Sequence, residues 1–161
     1  MAGGDQVGGG EIGLKELSKL YSDAGGELKG FEKFGGELVV GYRITYEKKL
    51  TEADVAFFGL VSGDLNPIHF DEEVAAKTRF GGRVVHGMLT TSLVSAAVAR
   101  LPGTVVLLED GFKYLAPVRV GDTVRVEGVV SEKEKNRYRI EVKCLVGEKV
   151  VAEGYVKVLI W

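Results

Sequence analysis

The stretch "SGDLNPIHF", Ser62 to Phe70, places a carboxylate (Asp64) and an imidazole (His69) on either side of Asn66-Pro67. Asn-Pro is a strong turn signal, and a residue before proline is steered away from the helical region. A bend there lets Asp64 and His69 aim at one point, which a straight strand would not. An imidazole ordinarily titrates near neutrality and can exchange a proton there, while a carboxylate orients or deprotonates water. Together they suit proton transfer through one shared water. Taken singly, Asp64 could cap a helix and His69 could sit on a loop.

A second element follows in "RVVHGMLTTSLVS". Gly87 opens an apolar helix, where the first backbone N–H groups have no intrahelical partner. Without a side chain at Gly87, a substrate carbonyl can approach that N–H closely. The helix start would then be an oxyanion hole for a thioester. Ser95, two turns further on, could hydrogen-bond a catalytic residue, although a buried helical serine more often bonds a carbonyl one turn back. His86 reads as part of the helix-entry turn. With Asp64 and His69 it could be drawn as a metal site, but no helical histidine spacing supports a metal.

Asn66, Lys77, Arg79, Arg83 and Met88 are the candidates for substrate contact. The three basic residues crowd the approach to the Gly87 helix and could form a rim for phosphate groups of a substrate, or a solvated surface. Phe57, Phe58 and Met88 read chiefly as core. Cys144 lies in a strand-like run with no histidine beside it and reads as a small buried residue.

These groups need elements to hold them. "EIGLKELSKLYSDAGG" puts Leu14, Leu17, Leu20 and Tyr21 at helical spacing and stops at Gly25-Gly26, a short amphipathic helix packed on the domain or a partner. "ELVVGYRITYEKKL" alternates as a strand does. Thr51 caps "EADVAFFGLVS", with acidic Glu52 and Asp54 in its first turn, and Asp71 caps "EEVAAKTRF". The run from Gly87 to Leu101 is apolar most of the way round, so it is expected inside the protein, covered on several sides. Four β-rich runs follow, with turn signals at Pro117, Gly121-Asp122, Lys135-Asn136 and Gly147. Short turns favour a meander of successive antiparallel strands. A twisted antiparallel sheet wrapped around the long helix is the expected α+β architecture, a single hot-dog fold. Sheet edges need cover, which predicts a homodimer or higher homo-oligomer.

Residues 57–89, "FFGLVSGDLNPIHFDEEVAAKTRFGGRVVHGML", resemble the hydratase-2 motif of the MaoC-like (R)-specific enoyl-CoA hydratases. The core aromatic–x–x–x–Ser/Thr–Gly–Asp–x–Asn–Pro–aliphatic–His is unbroken from Phe58 to His69. Phe80-Gly81, His86-Gly87-Met88 and "FKYLAPVRVGDTV" extend the likeness, which runs from about Val39 to Leu159. The division expected is a flexible tail and short helix over residues 1–36 and a hot-dog dehydratase domain over residues 37–161. The resemblance implies Asp64 and His69 as the pair holding the attacking water, the Gly87 N–H as donor to the thioester carbonyl, and Ser95 as a supporting polar residue. It implies reversible hydration of trans-2-enoyl-CoA to (R)-3-hydroxyacyl-CoA, a hydro-lyase reaction needing no metal or redox cofactor. The alternatives are a 3-hydroxyacyl-acyl-carrier-protein dehydratase, a hot-dog thioesterase, and a non-catalytic acyl-thioester binding subunit. The intact Asp-x-Asn-Pro-x-His core argues against the last two.

Composition agrees with a globular enzyme. The chain has 161 residues, 45% apolar and 27% charged, with a formal net charge of −2. That balance gives no broad attraction for nucleic acid or anionic membrane. No apolar run approaches the roughly 20 residues that span a bilayer. The first ten residues, "MAGGDQVGGG", lack the basic start and apolar stretch of a secretory signal and read as a Gly-rich tail. One cysteine allows no internal disulfide. A cytoplasmic protein acting on acyl-CoA or acyl-carrier-protein thioesters is the expectation.

Overall fold

The computed structural model describes residues 2–161, with side chains described from Gly13 onward. Its elements are α1 (Ala2–Asp23), β1 (Arg43–Lys49), α2 (Glu52–Ser62), α3 (Pro67–Phe70), α4 (Glu72–Ala76), α5 (Gly87–Ala99), β2 (Val105–Tyr114), β3 (Thr123–Glu134), β4 (Arg137–Val146) and β5 (Lys149–Ile160). The tail expected over residues 1–10 lies outside the described side chains, Met1 wholly so. α1 begins at Ala2, earlier than the Leu14–Tyr21 spacing marks.

The strands form one antiparallel sheet in the order β1-β3-β4-β5-β2. Tight turns make β3, β4 and β5 consecutive hairpins. Lys135, at φ 55°, and Gly147, at φ 58°, supply the left-handed residues that such turns require. The meander expected for all four later strands holds only for these three. β2 pairs with β5, from Val105↔Ile160 to Tyr114↔Ala152, because β1 already occupies the free side of β3.

Alternation decides which face is core. Val124, Val126, Val130, Tyr138, Ile140, Val142, Val156 and Val158 point inward against Leu89, Leu93, Val94, Ala97 and Val98 of α5. Fully burying a side chain of this size is worth about 1.5–3 kcal/mol, so this layer dominates stability. The sheet wraps α5 in the hot-dog arrangement, a fold of mixed α and β. Cover on several sides is not what α5 receives within one chain. Gly87, Met88, Ser92 and Ser95 are exposed, because a single curved sheet reaches only the apolar stripe and leaves the small polar face open.

α1 is held through Tyr21, not through its leucines. The Tyr21 hydroxyl donates to Asp54 Oδ1 (2.5 Å) and accepts from Lys48 Nζ (2.6 Å), and its ring meets Phe57 edge-on. Burial and the neighbouring Asp54 carboxylate push this phenol above its ordinary range. Leu14, Leu17 and Leu20 stay exposed. Asp54 also accepts from the Thr51 N–H (2.7 Å), so one carboxylate both caps α2 and anchors α1.

Candidate active site

The turn between α2 and α3 is built by its own side chains. Gly63 (φ 78°) ends α2 in a left-handed cap, its N–H donating to the Gly59 carbonyl. Ser62 Oγ donates to the Phe58 carbonyl (2.6 Å) and accepts from the Asp64 N–H (3.1 Å). Asp64 Oδ1 then accepts from the Asn66 N–H (3.2 Å), and Asn66 Oδ1 from the Ile68 N–H (3.4 Å). Every second side chain in "SGDLNPI" thus holds the backbone two residues on, the local habit of Ser, Asp and Asn. Pro67, at the first position of α3, has no N–H to leave unsatisfied. The bend foreseen at Asn66-Pro67 is therefore a one-turn helix carrying His69.

His69 is buried, and its Nδ1 lies 2.8 Å from the Val84 carbonyl. A carbonyl only accepts, so Nδ1 carries a proton, and in the tautomer with that single ring proton Nε2 is bare. That Nε2 is 3.8 Å from Asp64 Oδ2, on a carboxylate half open to solvent. The gap is too long for a direct hydrogen bond. Both atoms can nonetheless sit about 2.8 Å from one water oxygen. The Asp64–His69 pairing read from the turn is thus present in space.

A cleft of about 390 Å³ runs beside the pair, lined in part by Asn66, His69, Arg79, Gly87, Thr90 and Tyr114. Gly87 is the first residue of α5, and among the described residues its N–H has no acceptor. A Cβ there would come within 2.9 Å of the Tyr114 ring, so the ring packs directly over the glycine. Thr90 Oγ1 is buried without a partner one turn further along. A larger cleft, about 680 Å³, crosses the outer face of the sheet between Arg43, Glu127, Lys143 and Tyr155. It holds neither histidine.

The remaining candidates separate. Arg83 is fully engaged: Nη1 and Nη2 donate to Glu52 (2.7 Å each) and Nε to the His69 carbonyl (2.8 Å). The guanidinium holds Glu52 below the usual carboxylate range, and Glu52 holds Arg83 up in return. Arg83 is therefore a brace between α2 and α3 and not a free member of a basic rim, because the fold supplies a bidentate carboxylate before any phosphate arrives. Lys77 pairs with Glu73 (3.3 Å) on the surface, and Arg79 lies at the cleft over the Phe80 ring. Met88 is 71% exposed beside Gly87. Ser95 sits on the open face of α5 and makes no hydrogen bond to Asp64 or His69 among the described residues. Burial pushes the Cys144 thiol up to about 11, which leaves it inert.

Arg119 escaped the sequence reading, and so did the contacts of His86. Arg119 donates to the carbonyls of Phe80, Gly82 and Arg83 and so fixes the loop that delivers α5. His86 stacks on His69, with ring centroids 3.8 Å apart, and its Nε2 lies 2.9 Å from the Asp64 carbonyl. Neither partner is near in sequence, and no local pattern announces either. Donor atoms of Asp64, His69 and His86 lie within 4.8 Å of one another. In stacked rings, however, the in-plane lone pairs run alongside each other and do not converge, so the set does not fit a metal ion.

Known proteins add to this geometry. The model of the MaoC-like domain matches residues 38–152. A 3-hydroxybutyryl-CoA dehydratase of Methylorubrum extorquens is 41% identical over 122 residues, 73% of this chain and 78% of that protein. An (R)-specific enoyl-CoA hydratase of Rhodospirillum rubrum is 38% identical over 126 residues, 74% and 86% of the two chains. The crystal structure of protein af1124 from Archaeoglobus fulgidus superposes with a TM-score of 0.94 at 71% identity, covering 97% of this chain and 99% of that one. With its signature turn folded around an aligned carboxylate and imidazole, the chain belongs to the family of proteins built on the MaoC-like domain.

Proposed function

We propose that the protein is an (R)-specific enoyl-CoA hydratase, a hydro-lyase that reversibly adds water to a trans-2-enoyl thioester, with residues 37–161 as its catalytic unit. The observation that carries this reading is the bare His69 Nε2, which shares one cleft with the unpartnered Gly87 N–H and lies 3.8 Å from Asp64 Oδ2. A thioester carbonyl accepting from Gly87 becomes polarised, and its β-carbon becomes electrophilic. The pair removes a proton from the shared water as its oxygen bonds that carbon. A proton delivered to the α-carbon completes the product. A donor placed where the oxyanion forms is worth about 3–4 kcal/mol of barrier, and positioned acid–base groups add about 10²- to 10⁴-fold.

Names of relatives such as hydratase and dehydratase describe one reaction in its two directions, which supports the same chemistry here. β2 is an unpaired edge carrying exposed Val106, Leu107 and Leu108, and α5 shows its small-residue face nearby. A second copy covering both makes the working unit a homodimer. Among the described residues no helix is long and apolar enough to cross a membrane, in keeping with action in the cytoplasm.

The test is the enoyl-thioester absorbance of crotonyl-CoA mixed with the protein. Loss of the band without free thiol supports hydration. Thiol release means hydrolysis, and an unchanged spectrum with saturable binding means a binding subunit; either overturns the reading.

A further inference from the structure

His86 is buried, at 2% exposure, yet its chemistry is only half used. Its Nε2 faces the Asp64 carbonyl at 2.9 Å and therefore carries the proton, while Nδ1 has no partner among the described residues. The ring lies against His69 (3.8 Å, 29° between planes), with Phe58 at 4.8 Å and Phe70 at 5.8 Å closing the box. Its own backbone is the cap immediately before Gly87. One residue thus meets the loop of Asp64 and the ring of His69 through its side chain and the start of α5 through its backbone. A phenylalanine would fill this box without burying an unpaired nitrogen, and such nitrogens cost stability. The N–H to Asp64 is the contact that a hydrocarbon ring could not make.

We propose that His86 is a positioning residue, which fixes the Asp64 backbone and the His69 ring plane so that Oδ2, Nε2 and the Gly87 N–H address the same substrate. The role rests on the hydration reading above. Burial holds the His86 imidazole below its ordinary value, which keeps it neutral and suits a single Nε2–H. A misplacement of about 1 Å in such a constellation costs about 10²-fold in rate.

The chain has only two histidines, so both rings resolve cleanly in a long-range ¹H–¹⁵N spectrum. In the wild-type protein at pH 7 the His86 ring should be protonated on Nε2 alone; protonation on Nδ1 instead overturns the proposal, whatever the activity. His86→Phe keeps the ring and removes the donor, whereas His86→Gln keeps an N–H at the Nε2 position. With crotonyl-CoA, His86→Phe should lower kcat about 30- to 100-fold with KM within about twofold, and His86→Gln should recover to within about fivefold of wild type. A kcat within about threefold of wild type in His86→Phe, or losses carried by KM, reduces His86 to packing and overturns the idea. Should His86→Phe not fold, His86→Gln and the wild-type spectrum decide. Should wild-type protein fail to hydrate crotonyl-CoA, the hydration reading falls, and the clamp is judged by whether His86→Phe moves the His69 resonances. Unmoved resonances overturn it.

Discussion

The two clefts of this molecule differ in a way that volume does not describe. The larger, on the outer face of the sheet, is lined by the surface charges Arg43, Lys113, Glu127, Glu141, Lys143 and Glu153, of which Glu127 and Glu141 are already paired with Arg125 and Arg139, and it holds neither histidine. The smaller one holds groups with capacity to spare, a bare imidazole nitrogen, an unpartnered helix N–H and an orphaned threonine hydroxyl, with a free carboxylate oxygen 3.8 Å from that nitrogen. Long charged side chains on an open sheet face can be satisfied by solvent, whereas unpartnered groups held still beside a buried imidazole make a place where another molecule completes the bonding. The proposed chemistry therefore draws on the lesser cavity.

The strongest way to break that contrast is to disarm the smaller cleft. Asp64→Asn and His69→Ala should each lower kcat by about 10²- to 10⁴-fold, with circular dichroism and thermal unfolding close to wild type. Near-normal turnover of crotonyl-CoA in either variant would remove that residue from the mechanism. Gly87→Val should cost about 10²- to 10³-fold in kcat. Its added carbon drives against Tyr114, which is half exposed and can swing away, so unfolding should move far less than turnover. Equal losses of stability and rate would make Gly87 a packing residue.

Smaller effects sharpen the comparison. Glu52→Gln breaks the brace to Arg83 and should lower stability by at most about 1 kcal/mol, since the glutamate is largely solvated. The folded carboxyl lies below its ordinary 4.5, so the brace contributes fully above that pH. The contribution fades as pH falls through the lowered value. Denaturant midpoints of wild type and variant should therefore converge on acidification and differ most near neutrality; a gap that widens in acid would reverse the assignment. Last, Lys143→Ala in the outer cleft should leave kcat within about twofold and stability within about 0.5 kcal/mol. A large kinetic loss there would place function on the wrong side of the sheet.

Much of this was legible before any coordinates. Alternation in "RVEGVV" and "RIEVKC" marks β3 and β4, and the left-handed turns sit at the signals between them. The approach of Asp64 to His69 was readable because the turn that joins them is local, each side chain holding a backbone two residues away. What stayed hidden depends on distant encounters. The partner of β2 is decided by where β1 inserts, the brace from Arg83 reaches Glu52 across the fold, and the stack of His86 on His69 exists only once α5 docks. The open face of α5 went unforeseen because an apolar helix in sequence does not say how far one sheet can reach around it.

The relay of Ser62, Asp64 and Asn66 has one more result. With Asp64 Oδ1 committed to the Asn66 amide and His69 Nδ1 to Val84, each reagent keeps a single working atom. On the proposed mechanism, water held by those two atoms would strike a planar double bond from one side, so the turn that fixes them would also set the handedness of the alcohol.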